Sequence, residues 1–139
     1  MTWWMFAIGS ALAAAATAIL AKIGITGVPS NLATALRTIV ILVFAWGIVL
    51  FTGDHRSLRT LETRSLVFLV LSGLATGVSW LLYFKALSMA PASLVAPVDK
   101  LSVVLTVVLG VLVLGETMTW RLGLGTAMIA AGCILTIKT

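Results

Sequence analysis

Charged side chains inside apolar stretches are the residues of this chain best placed to do chemistry. Asp99 is the only acid within an apolar stretch, and Ser102 and Thr106 follow it at spacings of three and seven residues, which places all three on one helix face. A charge in the hydrocarbon of a bilayer costs about 3 kcal/mol even on lenient scales, so its presence predicts a function. Because a low-dielectric site disfavours the charged carboxylate, Asp99 is the predicted proton-coupling group.

Basic residues accompany this acid. Arg37 lies about two turns inside an apolar stretch, with Lys22, Lys85 and Lys100 at or near the same membrane side when the chain is threaded through a bilayer. Four cations and one anion around one vestibule predict an anionic or zwitterionic ligand. Lys100 is expected to point away from Asp99, since adjacent residues do not face each other on a helix. The alternative is that Lys22 and Lys85 extend to the interface and Asp99 neutralises Arg37 or Lys22 in a structural contact.

Two prolines lie near these charges. Pro91 and Pro97 occur in SMAPASLVAPVDK, where a proline removes a backbone donor and bends a helix. They predict a helix break or hinge of the kind that lines transporter binding sites. The alternative is that Pro91 ends one helix and Pro97 is tolerated in the first turns of the next. The aromatic residues before the break either line a cavity or serve simple packing; they are Trp80, Tyr83 and Phe84.

The elements that must position these residues are membrane helices. The chain is 61% hydrophobic and 9% charged, whereas soluble domains carry roughly 45–50% apolar and about 25% charged residues. Five continuous apolar runs predict an all-α polytopic membrane protein with one domain, residues 1–139, because membrane strands would be shorter and alternating. The predicted helices cover 3–21, 32–52, 65–89, 94–114 and 121–138.

Small residues four apart predict helix packing in lipid, because they let backbones approach closely. Gly73 and Gly77 form a GxxxG in the third helix, and Gly110 and Gly123 belong to similar ridges in the fourth and fifth. Any one ridge could pack against another helix of the same subunit at least as well as against a helix of a second subunit. Together they predict a bundle that is incomplete as a monomer.

The distribution of Lys and Arg favours neither orientation strongly. Threading puts four basic residues on the side of the N-terminus and five on the other, and the positive-inside rule depends on such differences. Because three of the four share one true loop, a cytoplasmic N-terminus is slightly favoured. The near balance also predicts that the chain inserts in both orientations. The net charge is +5, but the basic residues flank helices and form no basic domain. They therefore indicate no nucleic-acid partner.

No set of residues suits catalysis or metal binding. Cys133 and His55 are the only cysteine and histidine, so a zinc site or a histidine base has no companions. The sequence has no phosphate-binding glycine loop. We therefore expect no enzyme activity, no metal and no cofactor.

The last third of the chain carries a family resemblance. The stretch APVDKLSVVLTVVLGVLVLGETMTWRLGLGTAMIAAGCILTI resembles the C-terminal signature of an EamA domain in the drug/metabolite transporter superfamily, and AILAKIGITGVPSNLATALRTIVI resembles the first two helices of its five-helix members. The residues that carry the first resemblance are Pro97, Gly110, Gly115, Glu116, Trp120, Gly125 and Gly132. Small multidrug transporters are only distantly similar, because they carry a glutamate in the first helix, whereas the first predicted helix of this chain contains no acid.

The resemblance implies a secondary transporter of the inner or plasma membrane. Typical members carry two inverted five-helix repeats, and this chain has one. An antiparallel homodimer of ten helices, working by alternating access on a small polar metabolite, follows as an expectation. The alternative from another class is a non-transporting membrane subunit whose small-residue ridges bind a partner membrane protein.

Overall fold

The computed structural model describes residues 2–137, and this part of the chain is helical without any strand. The α-helices are α1 (Trp3–Gly24), α2 (Ser30–Thr52), α3 (Thr63–Met89), α4 (Ala92–Asp99), α5 (Leu101–Leu114) and α6 (Trp120–Ile137), and a 3₁₀ helix spans Asp54–Thr60 between α2 and α3. Taken together as Ala92–Leu114, α4 and α5 make one of five candidate membrane spans. The predicted all-α membrane fold with five spans is confirmed.

The helix predicted at 94–114 is interrupted once. It consists of α4 and α5, which meet at Lys100, where the backbone has φ −69° and ψ −7°. Pro97 lies inside α4, while Pro91 precedes it in an extended conformation and separates it from α3. The other predicted helices agree with the observed ones to within a few residues, except that Lys138 lies outside the described residues.

The described residues form two compact units. The terminal unit comprises residues 2–20 and 89–137, and the central unit comprises residues 21–88. Within the terminal unit, α6 contacts both α4 and α5. The buried thiol of Cys133 on α6 donates a hydrogen bond to the Pro97 carbonyl oxygen at 2.9 Å. This bond ties the proline-containing helix to α6.

In the central unit, the buried residues lie near the start of α2 and the end of α3. Thr34 is the buried residue of α2, and Phe84 and Leu87 are those of α3. Residues 38–48 of α2 and 64–79 of α3 are exposed. The 3₁₀ helix packs against α2. The ordered interior of this unit is therefore concentrated at one end of its two long helices.

Two glycines end helices in a conformation that other residues rarely adopt. Gly53 after α2 and Gly115 after α5 have φ of 81° and 69°, in the left-handed region. The Gly115 and Glu116 N–H groups both reach the Gly110 carbonyl oxygen. A Cβ on Gly110 would lie 2.7 Å from the Glu116 Oε2, so Gly110 leaves room for the returning Glu116 side chain.

The other predicted packing glycines differ in their surroundings. A Cβ on Gly123 would lie 3.8 Å from the Met118 sulfur, whereas one on Gly73 or Gly77 would meet no atom within 4 Å. The helix packing predicted for Gly73 and Gly77 therefore stays a prediction.

Large apolar side chains are exposed along every span. Phe51 of α2 is 93% exposed and Leu112 of α5 is 75% exposed, and no residue in the most apolar window of α3 is buried. In a bilayer such surfaces face lipid or another chain without a hydrophobic penalty. This exposure suits an integral multi-pass membrane protein.

Candidate functional site

Complementary faces of α2 and α3 build the most distinctive site of the central unit. On α2, Ala33, Thr34 and Arg37 are partly or fully buried, and on α3 the same holds for Trp80, Tyr83, Phe84 and Leu87. Spacings of three, four and seven residues put each set on one helix face. Both faces lie near the start of α2 and the end of α3, where these helices have their buried residues.

Arg37 is held against an aromatic ring rather than a carboxylate. The carbon at the centre of its guanidinium lies 3.3 Å from the centroid of the Trp80 ring and 5.6 Å from that of Phe84. At this distance the cation is attracted to the negative face of the indole. The stack offsets part of the cost of placing a cation within a membrane span.

Three aromatic residues form the platform beneath this cation. The Trp80 ring lies 6.0 Å from that of Tyr83 and 6.1 Å from that of Phe84, and the Tyr83 and Phe84 rings are 6.5 Å apart. Edge-to-face arrangements such as that of Trp80 and Tyr83 are favourable for aromatic pairs. The platform therefore fixes the ring on which Arg37 rests.

The charge of Arg37 is not neutralised within its unit. The central unit contains two carboxylates, Asp54 and Glu62, and among its described residues neither forms an ion pair with Arg37. Arginine presents five N–H donors in a planar fork that matches a carboxylate or phosphate. The guanidinium of Arg37 is half-buried and has one face on the Trp80 ring.

Lys22 has a backbone partner in the same unit. Its Nζ donates a hydrogen bond of 2.6 Å to the carbonyl oxygen of Leu87, a fully buried residue. The helical donor for this oxygen would come four residues later, at position 91, which is a proline without an N–H. Lys22 thus supplies the donor that Pro91 lacks, at the negative end of the α3 dipole.

Lys85, by contrast, is an exposed residue of α3. Its carbonyl oxygen accepts a hydrogen bond of 2.7 Å from the Ser88 hydroxyl. Exposure near a helix end is compatible with the predicted extension to the interface. A role for its ammonium in ligand binding stays a prediction.

In the terminal unit, Asp99 and Lys100 form an ion pair. The Lys100 Nζ lies 3.6 Å from the Asp99 Oδ2, and both residues are exposed. The expectation that these neighbours point apart is wrong, because it assumed a continuous helix and the helix is interrupted at Lys100. The separation is wider than that of a charge-assisted hydrogen bond.

Ser102 and Thr106 bond to each other along α5. The Thr106 hydroxyl donates to the Ser102 carbonyl oxygen at 2.8 Å, and both residues are exposed. A hydroxyl in a membrane helix commonly donates its hydrogen bond to the carbonyl oxygen four residues earlier in this way. Their predicted participation with Asp99 in a site stays a prediction.

The structure thus distributes the predicted site residues between the two units. Lys22, Arg37 and Lys85 belong to the central unit. The rest belong to the terminal unit; they are Asp99, Lys100, Ser102, Thr106, Pro91 and Pro97. Sequence reasoning missed the pairing of Arg37 with Trp80 and of Lys22 with Leu87. The proline four residues after Leu87 was a signal for the second contact, whereas no signal in the sequence pointed to the first.

The sequence of this chain is similar to those of known transporters. A model of the EamA-like transporter family matches residues 1–138. A protein of Sinorhizobium sp. named "Uncharacterized transporter in cobO 3'region" is 47% identical over 134 residues, which cover 96% of this chain and 95% of the relative. No solved structure matches the chain.

Proposed function

Because the chain belongs to the EamA-like transporter family, we propose that it is a secondary transporter that moves a small anionic or zwitterionic metabolite by alternating access. The observation that carries the proposal is Arg37, a cation inside a membrane span that rests on Trp80 and has no carboxylate partner in its unit. A charge without a counter-ion beside it is costly in a span, and ionisable residues in such positions commonly serve function.

The chemistry of a guanidinium favours an anionic group on the ligand. Charge-assisted hydrogen bonds from its fork to a carboxylate or phosphate form two at a time and are roughly twice as strong as neutral ones. A lysine at the same position would supply charge without the fork. The ligand's anionic group is therefore expected to dock on the edge of Arg37, with Trp80 behind it.

Replacing Arg37 tests this assignment. With purified protein in lipid nanodiscs and a panel of small carboxylates and phosphate esters, Arg37→Gln should abolish binding of whichever compound the wild type binds. Arg37→Lys should weaken binding about tenfold, since charge remains but the paired hydrogen bonds are lost. Isothermal titration calorimetry gives both values.

The matched control is Arg59→Gln, which removes one charge from the exposed 3₁₀ helix of the same unit. It should bind as the wild type does. Wild-type affinity in Arg37→Gln would contradict the assignment of Arg37 as the group that binds the ligand's anion.

We further propose that the working form is an antiparallel homodimer. The five spans of this chain, the nearly balanced basic residues and the exposed apolar surfaces support it. Inverted repeats build many secondary transporters, with substrate at the interface of the two repeats. Two oppositely inserted copies would supply such a pair.

Ion coupling is the role proposed for Asp99, the one acid in the candidate spans, with Lys100 as its ion-pair partner. Binding a proton would neutralise the carboxylate and break its ion pair with Lys100, which would then be free to receive another anion. Asp99→Asn is therefore expected to abolish proton-dependent uptake into proteoliposomes and to leave the dimer intact in size-exclusion chromatography. Unchanged uptake under a proton gradient would contradict this role, and Asp54→Asn outside the spans serves as the control.

A further inference from the structure

We infer that the ligand of the Arg37 site is a net anion and not a zwitterion, because the chain's own cations already occupy two groups of the central unit that would suit an ammonium, the Leu87 carbonyl oxygen and the Trp80 ring. The inference rests on the proposed function and narrows its substrate class. It follows from two contacts that lie about two helical turns apart on one face of α3.

The first ammonium acceptor is the carbonyl oxygen of Leu87. The Leu87 carbonyl lies in the last turn of α3, and Pro91 has no N–H to offer it; freed carbonyls of this kind coordinate cations in transporters. Here the Lys22 Nζ already lies 2.6 Å from this oxygen. A substrate ammonium would have to compete for this oxygen with the Lys22 ammonium, which belongs to the same chain and already donates a hydrogen bond to it.

The second acceptor is the face of Trp80, the aromatic ring best suited to a cation. The Arg37 guanidinium covers it, with its central carbon 3.3 Å from the ring centroid. Seven residues separate Trp80 from Leu87, which is about 10 Å along the helix. The Trp80 ring and the Leu87 carbonyl oxygen are therefore both in contact with cations of the chain itself.

The charge balance of the central unit points the same way. Its spans hold Lys22, Arg37 and Lys85, while its carboxylates, Asp54 and Glu62, lie in the connection between α2 and α3. Asp54 comes 17 residues after Arg37 in the sequence, and the fifteen helical steps from Arg37 to Thr52 alone cover about 22 Å. An anion entering this region relieves a positive excess, whereas an ammonium adds to it.

The test compares carboxylates that differ only in an α-amino group. Isovalerate is paired with valine and hydrocinnamate with phenylalanine, and each is titrated into wild-type protein in nanodiscs. An ammonium that loses its water without gaining an acceptor should weaken binding at least about tenfold. The deaminated member of every pair that binds should therefore be the tighter ligand.

Lys22→Met sharpens the test by uncovering the Leu87 carbonyl oxygen. In this variant the preference should shift at least about tenfold towards the amino acid, because the oxygen becomes free to accept an ammonium. Arg59→Gln, which removes a charge from the exposed 3₁₀ helix, should leave the preference unchanged. If Lys22→Met does not fold, the matched pairs in the wild type decide the question alone.

The outcomes separate this inference from the proposed function. Equal or tighter binding of the amino acids by the wild type overturns the inference and leaves an anion-binding transporter standing. An unchanged preference in folded Lys22→Met also overturns it. Binding that persists in Arg37→Gln overturns the proposed function instead.

Discussion

At the residue scale, the stack of Arg37 on Trp80 predicts that the indole sets the orientation of the guanidinium. Trp80→Leu removes the aromatic face and should weaken anion binding by about 0.5–2 kcal/mol, the range of a cation–π contact. Trp80→Phe keeps an aromatic face and should retain most of the affinity. Calorimetric titration of the tightest carboxylate from the panel measures the difference.

Trp46 provides the matched control for these variants. It lies on α2 in the same unit, nine residues and about 13 Å along the helix from Arg37, and is 44% exposed, so Trp46→Leu removes an indole away from the guanidinium. Equal losses in Trp46→Leu and Trp80→Leu would indicate general destabilisation and contradict a positioning role for Trp80.

The sequence identified Arg37 but not its partner. A charge inside an apolar run is visible without any structure, because the cost of burying it is a property of the residue. Its partner depends on how α2 and α3 pack, and Trp80, Tyr83 and Phe84 at helical spacing were equally compatible with simple packing. Three-dimensional contacts of this kind are not encoded in the spacing of one helix.

At the element scale, the end of α3 depends on a bond between Lys22 and the Leu87 carbonyl oxygen. Lys22→Met leaves this buried oxygen without that donor and should destabilise the protein by about 1–3 kcal/mol. In a Pro91→Ala background, residue 91 gains an N–H that can bond the same oxygen. The cost of Lys22→Met should then fall by at least half.

A double-mutant cycle of Lys22→Met and Pro91→Ala, measured by chemical unfolding in detergent, gives this coupling directly. Additive effects would show that Lys22 does not replace the missing proline donor. Lys85→Met, which alters an exposed lysine near the same end of α3, should show no coupling with Pro91→Ala.

The interruption between α4 and α5 shows where sequence reasoning reaches its limit. Pro97 predicted a break, and the break lies three residues later, at Lys100. Pro97 is tolerated inside α4, while its carbonyl oxygen accepts bonds from the Lys100 N–H and the Cys133 thiol. The thiol comes from α6, and a contact of this kind is not visible in the local sequence around Pro97.

At the scale of the whole molecule, the number of spans followed from the sequence because it depends only on the length of each apolar run. Relations between chains do not follow in the same way. The lengths of the runs contain no information on whether two copies insert in opposite directions, and small-residue ridges suit contacts within or between chains equally. Orientation depends instead on the count of basic residues at each side.

That count predicts dual topology. Four basic residues against five give little bias, so reporters fused to the C-terminus, one active in the cytoplasm and one outside, should both respond. Replacing Arg56 and Arg64 with glutamine leaves two against five, and the positive-inside rule then places the C-terminus in the cytoplasm. A response of the exterior reporter alone in the wild type would show a single orientation and remove the basis for an antiparallel homodimer. Loss of that response in the double variant, with retention of the cytoplasmic one, would show that these arginines set the balance between the two orientations.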